Sequence, residues 1–178
     1  MKAALIPVES LSCETMWSPC ATRMGRMDIN HEAPIVSRHE VVILAPVNTI
    51  WRIQTDVSRW SEWLEDVSRA ELSGPFAEGA TFRWETAGLS IVSTIAEVVP
   101  LKRLAWSGPS AGITGIHVWT FTELENGVLV RTEESWDGPS AKAQPATLRQ
   151  ALDASLARWL DYLKVRAEEA AAVAGLPG

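Results

Sequence analysis

PATLRQALDASLARWLDYLKVRAEEAAAV, residues 145–173, reads as the element around which the rest of the chain folds. Its apolar residues are Leu148, Leu152, Leu156, Trp159, Leu160, Leu163 and Ala167, spaced four, four, three, one, three and four apart. That spacing places them on one side of a helix with a period of 3.6. The other side carries Arg149, Asp153, Arg158, Asp161, Lys164 and Arg166. Arg149/Asp153 and Asp161/Lys164 have the spacing of opposite-charge pairs along one helix. Pro145 suits a first helical position, and Gly175 and Pro177 end the run. At 1.5 Å per residue the helix is about 40 Å long, and its single greasy stripe needs a large apolar surface to lie on.

The hundred residues upstream supply that surface. Ile35–Leu44 is rich in Val and Ile and reads as a first strand, broken by Ala45–Pro46. Pro46 opens a short helix with Val47, Ile50, Trp51 and Gln54 at helical spacing. Asp56 reads as the N-cap of a second short helix that holds Trp60, Trp63 and Leu64. Six strand-like segments follow: Val67–Leu72, Thr81–Glu85, Leu89–Val99, Arg103–Ser107, Ile113–Glu123 and Val128–Trp136. Each ends at a turn signal, and Asn126-Gly127 is the strongest of them. Short connections between consecutive strands imply an antiparallel meander, and the first strand brings the count to seven. The fold class is therefore α+β: a seven-stranded antiparallel sheet wrapped round a C-terminal helix, with two short helices after strand one.

Alternation along the strands shows which face is covered. Phe82 and Trp84 alternate with Thr81, Arg83 and Glu85, and Leu104 and Trp106 share a face. Ile113, Gly115, His117, Trp119 and Phe121 form one side of their strand. Val128, Val130, Thr132, Glu134 and Trp136 form one side of theirs. Period-two patterning turns Trp84, Trp106, Trp119 and Trp136 inward together, provided no bulge resets the register. The chain has nine Trp but three Phe and one Tyr. Indoles suit both cores and the walls of ligand cavities.

Residues 1–33 differ from 34–173. They mix Ser, Pro, Cys, Met and charges without a period and read as an irregular or disordered tail before one domain. The apolar run Ala3–Val8 is too short for a signal peptide. Translation from Met24 or Met27 would explain the change in character, and an intact mass that includes residues 1–23 would refute it. The two cysteines, Cys13 and Cys20, do not make a disulfide scaffold, and a reducing cytoplasm is the simpler setting. A net charge of −6 and the lack of a basic stripe argue against nucleic acid as a partner. No apolar run reaches the roughly 18 residues of a membrane span.

These segments resemble the START-like (SRPBCC) superfamily, in particular its polyketide cyclase/dehydrase and lipid transport type. The resemblance covers about residues 35–170. LAPVNTIWRIQTDVSRWSEW (44–63) is similar to the family's opening, and GPFAEGATFRW (74–84) to its glycine-to-Trp strand. VVPLKRLAWSG (98–108), GIHVWTFTELENGVLVRTEESWDG (115–138) and SLARWLDYLKVRAE (155–168) continue it. The resemblance implies a helix-grip fold with an apolar cavity between sheet and helix. The superfamily has no single catalytic motif to carry over.

Several constellations bear on chemistry. Gly108-Pro109-Ser110-Ala111-Gly112 matches G-x-S-x-G, but strands on both sides make it a hairpin turn rather than a nucleophile elbow. Cys13, Cys20, His31 and His39 have no zinc spacing, so no metal site is expected. There is no G-x-G-x-x-G, phosphate loop or H-E-x-x-H, and no cofactor is implied. His117 and Glu134 are the polar residues on the Trp-bearing faces, so they are the candidate acid/base pair. Counting from Asn126-Gly127 puts them roughly diagonal across neighbouring strands. The candidate ligand-binding set is Trp60, Trp63, Phe82, Trp84, Trp106, Trp119, Trp136, Leu156 and Trp159, with Trp60 and Trp63 placed at the cavity mouth if the short helices sit there. Three functional classes fit. The first is binding of a small hydrophobic or aromatic molecule. The second is a cyclase or dehydratase that uses His117 and Glu134. The third is an interaction module with a filled core.

Overall fold

The long helix, α3, spans Pro145–Ala174 and buries Leu152, Leu156, Trp159, Leu160, Leu163 and Ala167. That is the apolar stripe of the sequence, with Leu148 left half-buried at its start. The structure is a computed structural model and describes residues 26–175. Cys13, Cys20 and Met24 lie outside the described residues.

Seven strands form the sheet: β1 (Ile35–Ile43), β2 (Val67–Leu72), β3 (Thr81–Thr86), β4 (Leu89–Val99), β5 (Arg103–Ser110), β6 (Ile113–Leu124) and β7 (Gly127–Asp137). Their spatial order is β1-β7-β6-β5-β4-β3-β2. Every pairing is antiparallel, and β1 joins the far side of β7. Bulges interrupt β2 between Val67 and Arg69 and β4 between Ile95 and Glu97. The second bulge faces Trp106 and Ala105 of β5, but its extra residue belongs to β4, so the inward alternation of β5, β6 and β7 runs unbroken.

Helix α1 (Val47–Thr55) starts at Pro46, and a 3₁₀ helix (Val57–Glu62) follows it. Asp56 stands at the N-cap position of the 3₁₀ helix, but its side chain makes no capping hydrogen bond. A further short helix, α2 (Pro139–Ala143), occupies what the sequence reads as a turn after Asp137-Gly138-Pro139. Five residues are too few to show a period.

Two sequence expectations about pairing change. The charged face of α3 grips β1, and the two pairs read from the sequence, Arg149/Asp153 and Asp161/Lys164, give way to other partners. Arg149 donates to the Val36 and Pro34 carbonyls at 2.7 and 3.1 Å. Lys164 donates to the Val42 carbonyl at 2.7 Å and to Glu168, while Asp153 accepts from Ser37 and lies 3.4 Å from the His39 ring. Unsatisfied strand carbonyls and a buried serine make better partners than another exposed charge, whose pairing is worth only a few tenths of a kcal/mol.

The second change is the register of β6 and β7. Leu124 pairs with Gly127, so the two-residue loop is Glu125-Asn126 and not Asn126-Gly127. Gly127 is the first residue of β7, at φ +118, and a Cβ there would lie 2.5 Å from the Ile43 carbonyl oxygen. The glycine serves the close approach of β1, and the turn sits one residue earlier. His117 and Glu134 are therefore directly opposed, not diagonal.

Residues 26–33 have no helix or strand, yet they cross the outer face of the sheet. Ile29 is buried there with Ala105 and Val118. The Met27 N–H donates to Glu97 at 3.2 Å, Arg103 donates to the Met27 carbonyl, and the Asn30 N–H donates to Ser135 Oγ at 2.9 Å. Arg103 and Glu97 pair at 3.1 Å and are almost entirely covered.

Candidate functional site

The packing between α3 and the sheet changes along its length. At one end Trp60, fully buried, meets Phe82, Trp84, Trp106 and Trp159 at ring separations of 5.4, 6.1, 5.8 and 5.1 Å. The Trp60 N–H donates to the Gln54 carbonyl at 3.0 Å, and the Trp159 N–H donates to Gln54 Oε1 at 3.3 Å. Phe82 and Trp119 are also closed into this cluster. At the other end a cavity of about 380 Å³ opens between the N-terminal half of α3 and strands β3–β7.

Three inward rows of side chains explain the change. The first row is Leu104, Trp119 and Thr132, all fully buried. The second is Trp106, His117 and Glu134, and the third is Gly108, Gly115 and Trp136. Side-chain volume falls toward the β5–β6 hairpin, and the helix cannot follow because Leu152 and Leu156 rest on their own cluster with Ile35 and Ala141. The mouth lies between the Thr86–Leu89 and Ser110–Ile113 hairpins and the Ala151–Arg158 face of α3. Ala111 and Gly112 turn the second hairpin at φ +49 and +75, a type I′ geometry, so the G-x-S-x-G segment is a strand reversal. Arg158 and Asp66 pair at 2.8 Å on the rim.

His117 and Glu134 are the ionisable pair on the wall. The His117 ring sits 4.8 Å from Trp106 and 5.2 Å from Trp119, nearly parallel to the latter. Its Nδ1 is 3.3 Å from Glu134 Oε2, and its Nε2 is 2.6 Å from Thr132 Oγ1. The Trp136 N–H donates to Glu134 Oε1 at 2.7 Å. Burial among rings pushes His117 down to about 3. Burial raises Glu134 to about 7, against the opposing pull of the Trp136 hydrogen bond. The imidazole is thus neutral near pH 7, while the carboxyl is poised to gain or lose a proton. Two proton placements fit these distances. A protonated Glu134 donates to Nδ1 while Nε2–H donates to Thr132. An ionised Glu134 accepts from Nδ1–H while Nε2 accepts from the Thr132 hydroxyl. Thr132 completes the set. Its inward position is legible in the strand alternation, but its bond to His117 depends on the exact row in which the two stand.

The site residues read from the sequence separate into three places. Trp84, Trp106, His117, Glu134, Trp136, Leu156 and Trp159 line the cavity. Trp60, Phe82 and Trp119 stand behind it as packed core. Trp63 is half-buried beside Arg59 and Arg166 in a separate surface groove. The short helices cover the end of α3 opposite the mouth, so neither Trp60 nor Trp63 closes the opening. Ser93, Gly108 and Gly115 also line the cavity, and nothing in their residue type announces it. Among the described residues no three His, Cys, Asp or Glu side chains come together as a metal site, and no helix is long and apolar enough to cross a membrane.

A family model described as "Polyketide cyclase / dehydrase and lipid transport" matches residues 34–168. A hypothetical protein from Helicobacter pylori superposes with a TM-score of 0.69 at 22% identity, over 92% of this chain and 99% of its own. A START superfamily protein from Mycobacterium smegmatis gives 0.66 at 11% identity, over 75% and 97%. The di-domain ARO/CYC StfQ from the steffimycin biosynthetic pathway gives 0.67 at 17% identity, over 78% of this chain and 52% of its own. At such identities the likeness speaks to fold, which is the helix-grip fold of the START superfamily. No curated protein matches the chain in sequence.

Proposed function

Because the chain belongs to the polyketide cyclase / dehydrase and lipid transport family, we propose that it binds a small hydrophobic or aromatic molecule between the sheet and α3. The observation that carries this reading is the 380 Å³ hollow, walled by Trp84, Trp106, Trp136 and Trp159 beside a cluster packed without such space. Apolar area removed from water is worth roughly 25 cal/mol per Å², so burying about 300 Å² of ligand supplies micromolar binding before any polar contact is counted. The hollow counts against the interaction module, which calls for a filled core. The two-cysteine composition goes with a cytoplasmic setting. Native mass spectrometry of the purified protein, followed by solvent extraction, tests the reading. A stoichiometric small hydrophobe is expected, and a protein that takes up no apolar probe from a broad panel refutes it.

One observation favours a second reading, a cyclase or dehydratase. Burial raises Glu134 to about 7 at the cavity wall, and His117, itself braced by Thr132, lies 3.3 Å from its Oε2. A carboxyl in that state can give a proton to a ligand oxygen or take one from an adjacent carbon. StfQ and BexL, the latter from the BE-7585A biosynthetic pathway, are named as di-domain ARO/CYC proteins, which agrees with that chemistry. Glu134→Gln would then abolish turnover while binding persists. Full activity in both Glu134→Gln and His117→Ala would end the enzymatic assignment.

A further inference from the structure

The sheet has two outer strands, β1 and β2, and their free edges are finished differently. Along β1, α3 takes up the main chain. Arg149 donates to the Pro34 and Val36 carbonyls, Lys164 donates to that of Val42, and the Leu44 N–H just past the strand donates to Glu168. Along β2 nothing of the kind occurs. From Arg69 to Leu72 the main chain bonds only to β3 among the described residues. Such an edge presents a row of unpaired N–H and C=O groups, a template for one more strand.

The side chains of β2 indicate which strand. On the outer face of the sheet Arg69 stands opposite Glu85 of β3, and Glu71 stands opposite Arg83. Arg69 and Glu71 are exposed and pair with each other along the strand at 2.5 Å. A second β2, laid antiparallel about a twofold axis at Ala70, puts each Arg69 opposite the other copy's Glu71. Signs then alternate across four strands, from Glu85 through Arg69 to Glu71 and Arg83 of the second copy. An axis at Arg69 or at Glu71 sets like charges face to face, which is unfavourable. An axis between two residues turns one sheet over and sets the core-facing Ala70 beside a charge. One register alone suits both the charges and the faces. At its centre Ala70 meets Ala70, a side chain small enough for the close approach of a directly opposed pair.

Charge, shortness and a bulge ordinarily guard an edge against stray strands. Here the two charges have opposite signs, so the edge turns away a strand of one sign and admits its own copy. We propose that β2 is a self-docking edge, through which two copies of this chain join antiparallel over Arg69–Glu71 into one continuous sheet. The bulge at Val67/Arg69 and the strand end at Leu72 keep the contact short. The dimer is therefore weak and reversible, with a dissociation constant of about 10–300 µM.

Sedimentation velocity of the full chain over a concentration series tests it, together with the reversals Arg69→Glu and Glu71→Arg. The unaltered chain should pass from monomer to dimer across that range. Each reversal alone sets two like-charge pairs across the axis and should weaken association at least about tenfold. An equimolar mixture of the two variants restores every opposite pair, and it should form the mixed dimer about as well as the unaltered chain forms its own. Damage to the fold cannot produce that recovery. Should either variant not fold, amide NMR of the unaltered chain decides: with rising concentration the Arg69, Ala70 and Glu71 signals should shift while those of β1 stay. A chain that remains monomeric up to about 1 mM overturns the inference. So do association that both reversals leave untouched, a mixture that associates no better than its parts, and concentration-dependent shifts that spare β2.

Discussion

The two ends of the space between sheet and helix are built from the same strands and the same α3, yet one is full and the other hollow. At the full end Trp60 and Phe82 meet edge to face and Trp119 packs tilted against Trp159, with indole N–H groups of Trp60 and Trp159 turned to Gln54. At the hollow end large rings stand beside glycines and a serine, and the indole N–H groups are tied down to the sheet. A count of tryptophans does not separate the two ends. What separates them is the partner in the facing row: Trp119 lies opposite Leu104 and Thr132, whereas Trp136 lies opposite Gly115. Close packing is the default of protein interiors, so an opening of this size survives only where neighbours are too small and the backbone too fixed to collapse.

The sharpest way to break the contrast is at the full end. Trp60→Ala removes a ring that touches four others, and about 3–5 kcal/mol of unfolding free energy should go with it in urea titration. A loss under about 1 kcal/mol would mean that this end has slack as well.

The next effect concerns the pair at the boundary between the two ends. His117, lowered from 6.5 to about 3, binds its proton less tightly folded than unfolded, so its contribution to stability grows as pH rises across that window. Glu134, raised from 4.5 to about 7, binds its proton more tightly when folded. Its contribution is complete below 4.5 and is lost as pH rises through about 7. Between 4.5 and 6.5 the two slopes oppose. Glu134→Gln should unmask the histidine. Relative to the unaltered chain, its stability should climb by about 2–3 kcal/mol between those two pH values. Parallel profiles for the two proteins would show that the carboxyl does not titrate there.

Gly108→Ala comes third. Its Cβ would clash with a strand carbonyl, for a cost of about 1–3 kcal/mol in thermal or urea unfolding. The smallest change sharpens the map of the site. Trp63→Ala, in the groove away from the cavity, should alter affinity for an apolar probe by less than about twofold and stability by about 1 kcal/mol. A tenfold loss of affinity would move the site toward the short helices.

Most of the fold was legible because two periods were clean. The 3.6-residue stripe from Leu148 to Ala167 and the two-residue alternation in β5, β6 and β7 each decide a face without further information. Register was less legible. Gly127 looks like half of a turn, and only the approach of β1, a strand some eighty residues earlier, shows why it must be glycine. The cavity residues divide along the same line. Trp84, Trp106 and Trp136 could be read from alternation. Gly115 falls on the same inward face by alternation, but its part in the cavity, like that of Ser93 and Gly108, could not be read, since what marks these residues is the absence of bulk beside an indole. The distinction between Trp60 as core and Trp84 as wall was equally hidden, because both read as inward tryptophans and only the packing shows Trp60, on the 3₁₀ helix, closed in by four rings.

The segment before β1 carries a consequence for anyone who trims the protein to its domain. A chain that begins at Pro34 deletes the main-chain groups that Glu97, Arg103 and Ser135 hold. Two almost fully covered charges would then face water with only each other for company, and the patch of Ala105 and Val118 beneath Ile29 would be laid bare. The shortened protein would gain a sticky back, on the side of the sheet away from the cavity, and self-association of such a sample through that face would belong to the cut and not to the molecule.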